Sequence, residues 1–132
     1  MNRTNITFAS EEEKQSMRIY DLTFDFAKRI VDVYYFLKQS FGDEIISKQI
    51  LKSGTSIGAN VAESKYPQSE ADYLSKINIA LKEASETEFW LKLLKECNYI
   101  SSAIIDSLLQ DCSRIIKILI SIVKKVNSHL KK

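Results

Sequence analysis

Few residues in this chain have the chemistry for catalysis. It has one histidine, His129, and two cysteines, Cys97 and Cys112. Carboxylates recur through its middle at Glu63, Glu83, Glu86 and Glu88. A di-iron or di-manganese centre between helices takes Glu from two of them and Glu-x-x-His from the other two. A single histidine near the C-terminus cannot complete that set, and the carboxylates have no nitrogen ligand beside them. The cysteines are too far apart for a CxxC motif and lie in apolar helical stretches, where they read as small buried hydrophobes. No histidine is placed to activate Ser53, Ser56 or a thiol, and there is no Gly-x-Ser-x-Gly elbow or phosphate loop. The residues therefore imply no catalytic site, no metal and no cofactor.

Recognition is what remains. Asn60 and Glu63 fall on consecutive turns of one predicted helix, and Glu83, Glu86 and Thr87 on the next, a pattern expected to form a structural hydrogen-bonded cluster that fixes helix register. Lys48, Lys52 and Lys65 lie along one helix. From Cys112 onward, Arg114, Lys117, Lys124, Lys125, Lys131 and Lys132 occur with no acidic residue among them. The net charge is only +2, so its distribution matters more than its total. A solvated polar face is the plainer reading of these lysines. In an assembly of copies, however, each strip is multiplied, and weak phosphate binding becomes useful through multivalency. The candidate nucleic-acid contacts are Lys48, Lys52, Lys65, Arg114, Lys117, Lys124 and Lys125. The aromatic set Tyr34, Tyr35, Phe36, Tyr66 and Tyr73 lacks interleaved arginines and reads as core and interface packing.

These side chains must be positioned by helices. In 132 residues there are three glycines and one proline, too few for a turn-rich β architecture. Residues 1–20 read as a polar arm in which Ser10 and Glu13 can form the capping box of a short helix. Residues 21–132 read as one domain of four helices. The first runs from about Leu22 to Ser40, with Phe26, Ile30, Val33 and Leu37 on one face, and Gly42 ends it. Asp43 can cap the second, about Glu44 to Ser64, which ends before Pro67. Ser69 opens the third, about Glu70 to Cys97, read as the longest, and the fourth follows from about Ala103 to His129. Short connections make neighbours antiparallel, so the expected fold is all-α, an up-down-up-down four-helix bundle. Gly54 and Gly58, four residues apart, favour close helix approach over phosphate binding.

The apolar patterning exceeds what one bundle requires. On the fourth helix it covers an arc of about 200°. The third carries one stripe through Tyr73, Ile77, Ala84 and Leu91 and an opposed one through Ile79, Trp90, Leu93 and Cys97. Two stripes imply two partners, and large exposed apolar patches are rare on monomers. A homo-oligomer is expected, with Ile79, Trp90, Leu93, Ile118 and Ile122 as interface candidates. Alternatively, the N-terminal arm or a bent first helix covers the second stripe. No apolar run approaches the ~18–20 residues of a membrane span; the stretch Ile115 to Val123 is broken by Lys117 and Ser121. The polar start lacks a secretory h-region, so the expected compartment is the cytoplasm.

The segments QILKSGTSIGANVAE (Gln49 to Glu63) and INIALKEASETEFWLKLL (Ile77 to Leu94) resemble the bacterial family of four-helix-bundle proteins named after 23S ribosomal RNA intervening sequences. The similarity extends from about Phe24 to the end of the fourth helix and includes SKQ at Ser47 and QSEADYLSK at Gln68. Many members continue Ala-Glu with Gly where this chain has Ser64. The resemblance implies a ring-like pentamer and a distant relationship to accessory proteins of diversity-generating retroelements, which bind nucleic acid and a reverse transcriptase. It implies no enzymatic activity. Two functions follow as expectations: a non-catalytic oligomeric scaffold with RNA- or DNA-binding capacity, or a protein-interaction adaptor that binds a protein partner and no nucleic acid.

Overall fold

The computed structural model describes residues 11–130. Four helices, α1 (Glu11–Phe41), α2 (Ile46–Glu63), α3 (Glu70–Glu96) and α4 (Ser102–Leu130), make up the described chain, with no strand among them. The expected residues set most of the boundaries. Gly42 takes a left-handed φ of 63° and turns the chain after α1, a conformation that costs glycine little. Asp43 accepts from the first-turn amides of Ile46 and Ser47, at 3.4 and 2.6 Å, although the cap position itself falls on Ile45 and α2 starts two residues later than expected. The Ser69 hydroxyl accepts from the Asp72 amide at 3.0 Å and caps α3. Asn98, at φ 59°, ends α3; asparagine is among the few other residues that visit this region routinely.

One boundary differs. α1 begins at Glu11, well before Leu22, and at 31 residues it is longer than α3 at 27. The segment 11–17 carries no apolar period. It contains Glu, Lys and Gln, strong helix formers that continue a helix by propensity alone. Ile19, placed in the polar arm by its surroundings, is fully buried. Ser10 of the anticipated capping box, and Lys131 and Lys132, lie outside the described residues.

Each helix packs on its sequence neighbours, α4 closes back on α1, and the backbones of the diagonal pairs α1/α3 and α2/α4 do not approach closely. Cross-links between helices fix the antiparallel order. Lys76 pairs with Glu63 at 3.3 Å, Lys95 with Asp106 at 2.7 Å, and His129 Nε2 lies 3.3 Å from Glu70. The core runs down the axis through Phe26, Ile30 and Leu37 of α1, Ile50 and Ile57 of α2, Ile77 and Leu91 of α3, and Ile105, Ile115 and Leu119 of α4. Full burial of each such side chain contributes about 1.5–3 kcal/mol.

The seams are built differently. Between α1 and α2, Gly54 lies so close to Ile30 that an added Cβ would fall 2.7 Å from its Cγ2, and one on Gly58 would meet the Thr23 carbonyl oxygen at 3.3 Å. The two glycines are therefore close-approach points, as their spacing indicated. Between α2 and α3 the buried hydroxyls of Ser53 and Thr87 hydrogen-bond at 2.9 Å. Between α3 and α4 the buried Cys112 thiol donates to the Ala84 carbonyl at 3.3 Å. Burial pushes this thiol up to about 12, with the charges of Glu88 and Asp111 adding to the effect, so it stays protonated and poorly nucleophilic. Cys97 departs from expectation: it is exposed at the end of α3.

Candidate nucleic-acid interface

The outer face of α4 is built by periodicity. Ile105, Leu108, Cys112, Ile115, Leu119 and Ile122 turn inward, leaving Gln110, Arg114, Lys117, Ser121, Lys124 and Lys125 exposed. At 1.5 Å per residue, Arg114 to Lys125 makes a cationic strip about 16 Å long. Among the described residues, Arg114, Lys117 and Lys124 form no ion pair. Chemically this is a phosphate-binding face without means of stacking bases, since no aromatic residue interrupts it.

The other basic candidates lie elsewhere. Lys48 is paired with Glu44 at 3.3 Å. Lys52 is exposed on α2. Lys65 places its ammonium 3.6 Å from the Tyr20 ring centroid. Because α2 and α4 occupy opposite corners, Lys48 and Lys52 do not extend the α4 strip. Of the seven sequence candidates, only the α4 group is a continuous line, and Lys48 and Lys52 stand apart from it.

The structure does not join the anticipated polar cluster. Asn60 donates to the Ser56 carbonyl of its own helix, Glu63 turns to Lys76, and Glu86 accepts from Trp90 Nε1 at 3.1 Å. Glu83 contributes its backbone carbonyl to Thr87 at 2.8 Å. Of the five, only Thr87 is buried, and its partner across the seam is Ser53. Long carboxylates reach solvent or a nearer lysine at less cost than burial demands.

The interface candidates also divide. Ile122 is 3% exposed and Ile118 packs against the core, so these two are part of the chain's own bundle. α4 is flanked by both α1 and α3, which cover most of its wide apolar arc and leave Ile104 and Ile120 exposed. Ile79 stays 38% exposed, and Trp90 and Leu93 are half-buried. Beside them is Phe89, 57% exposed and edge-on to Trp90. Phe89 is absent from the sequence candidates, yet the helical period puts it on one outer line with Lys82 and Leu93. At the opposite corner, α1 exposes Phe24, Tyr35 and Phe36. Tyr66, read as packing, is 86% exposed on the α2–α3 connection.

Among the described residues, no group of three His, Cys, Asp or Glu side chains is arranged to hold a metal ion, and no helix is long and apolar enough to cross a membrane.

By architecture the molecule is an antiparallel four-helix bundle protein. The chain belongs to the 23S rRNA-intervening sequence protein family, whose pattern it matches over residues 15–121. It is similar to a solved protein of unknown function from Bacteroides thetaiotaomicron, assigned to the S23 ribosomal protein family. The two share 50% identity with a TM-score of 0.79, over 80% of this chain and 98% of the other. No protein of curated function matches the chain.

Proposed function

We propose that this chain is a non-catalytic, self-associating bundle of the cytoplasm that holds RNA or DNA by its phosphate backbone along α4. The observation that carries the reading is the run of Arg114, Lys117 and Lys124, exposed on one face without carboxylate partners among the described residues. Lys28, Lys48 and Lys92, by contrast, each pair with a carboxylate one turn away. Self-association is supported by α3, whose outer Ile79, Phe89, Trp90 and Leu93 lie opposite the exposed Phe24 and Tyr35 of α1. Two unlike apolar corners suit head-to-tail contact between copies, which closes into a ring when the rotation allows; the pentamer implied by the family resemblance is such a ring.

A mobility-shift titration with an rRNA hairpin tests the strip. Affinity should fall steeply with salt, and Lys117→Gln with Lys124→Gln should flatten the salt slope by about two. Salt-insensitive or absent binding at low ionic strength would sink the proposal. Light scattering tests the assembly: wild type should be oligomeric and Phe89→Glu should shift it toward monomer.

An adaptor that binds a protein partner without nucleic acid is the second reading. It is favoured by the apolar end of the bundle, where Phe41 stacks on Tyr99 at 4.6 Å and Ile45 is exposed. A partner retained after nuclease treatment would favour it.

A further inference from the structure

The α4 strip leads to a cavity. Where the α2–α3 connection meets the last turns of α4, a recess of about 490 Å³ opens, a volume in the range of small-molecule sites. Pro67, Tyr73 and Val126 give it apolar walls, while Gln68 and Ser69 from the connection, Glu70 from the start of α3, and Lys125 and His129 from α4 supply polar lining, with the Glu70 carboxylate 3.3 Å from His129. Lys125 adjoins Lys124, so the recess is continuous with the cationic face. Tyr66, strongly exposed, immediately precedes Pro67. The two regions are complementary in chemistry: the strip has charge and no rings, and the recess adds rings to charge.

An uninterrupted duplex keeps its bases stacked internally and offers a protein only its backbone and groove edges. An unpaired nucleotide offers a flat π face and a phosphate together, and aromatic side chains beside cations are what hold it. We propose that this recess receives an unpaired nucleobase of the nucleic acid whose backbone lies on α4, so that the protein favours strand ends, overhangs or bulges over continuous duplex. This rests on the reading of α4 as a phosphate-binding strip. The same chemistry fits a free mononucleotide, which the experiment separates.

The test is fluorescence anisotropy of the full chain with a labelled RNA hairpin carrying a short unpaired 3′ overhang and with the same hairpin made blunt. Adenosine monophosphate serves as competitor. The overhang hairpin should bind about tenfold more tightly than the blunt one, and millimolar adenosine monophosphate should not erase that margin. Tyr73→Leu, which keeps an apolar side chain, should bring the two hairpins to equal affinity. If its melting temperature falls, the double variant Tyr66→Ala, Pro67→Ala on the exposed connection gives the same readout without touching the core. Lys117→Gln with Lys124→Gln should weaken both hairpins alike. Equal binding of the two hairpins by wild type, or a full margin in the recess variants, overturns the base-binding site while leaving the strip standing. A margin that adenosine monophosphate abolishes assigns the recess to free nucleotide and overturns the proposal. A blunt hairpin that does not bind, beside an overhang hairpin that does, supports the recess and overturns the strip.

Discussion

The seam between α1 and α2 and the seam between α1 and α4 share one helix and are built on opposite plans. On the α2 side, the chain removes side chains: Gly54 and Gly58 let Ile30 and the Thr23 carbonyl approach without clearance. On the α4 side, α1 is held by a polar clasp, Arg29 donating to Asp111 at 2.5 Å and to the Ser107 hydroxyl at 3.1 Å. Recesses lie along this second seam, one of about 450 Å³ between Val33, Phe36, Ile104 and Leu108. The α2 side gains dispersion and rigidity from close packing. The α4 side is joined by partly solvated charges, which contribute little and yield easily.

The sharpest way to break this comparison is Gly54→Val. Its Cβ would fall within 3 Å of Ile30, and overpacking of this kind should cost about 3 kcal/mol in urea denaturation. Combining it with Ile30→Ala should recover part of that loss in a double-mutant cycle; a purely additive result would mean that the two residues do not share the contact. Gly58→Ala should cost less, because the 3.3 Å approach to Thr23 is offset by a helix-propensity gain of about 1 kcal/mol. Its stability is expected within about 1 kcal/mol of wild type, and a larger loss than Gly54→Val would reverse the ranking. Arg29→Ala at the open seam should lower stability by less than about 1 kcal/mol, a difference that high salt should narrow.

The α3–α4 seam supplies a finer test. With its thiol pushed up to about 12 by burial, Cys112 should resist iodoacetamide in the native state at pH 8, while exposed Cys97 reacts. Mass spectrometry should find one label per chain, and two after denaturation. Burial keeps the thiol neutral in the native state, so the stability tied to this group is intact below its unfolded value near 9 and is lost as pH rises from there toward about 12.

Much of the fold was legible because burial leaves a period. Phe26, Ile30, Val33 and Leu37 mark the inner face of α1, and Asp43 and Ser69 mark helix starts by local hydrogen bonds that need no tertiary knowledge. The start of α1 left no such mark, since a helix that is polar all round has no period to read. Ile118 and Ile122 show a second limit: the width of an apolar arc does not reveal whether its cover is a neighbouring helix or another copy. The polar cluster failed because i,i+3 spacing gives a face and not a partner, and Lys76 meets Glu63 from α3. For the candidate interface, the α4 cations were visible as a run without acids. That the α2 lysines stand at the opposite corner depends on which helices touch, which no single helix encodes.

The hydroxyl pair in the α2–α3 seam has a consequence for how this chain can diverge. Ser53 and Thr87 are both fully buried and hydrogen-bond to one another, and each also reaches a carbonyl of its own helix, Ile50 at 3.5 Å and Glu83 at 2.8 Å. Removing one takes the cross-seam hydrogen bond from the other, which keeps its own-helix carbonyl, at about 0.5–1.5 kcal/mol, whereas replacing both by apolar residues of similar shape is close to neutral. Single changes at either position are therefore a shallow dip between two habitable states. Related sequences should carry two hydroxyls or two aliphatic groups at these positions more often than a mixed pair.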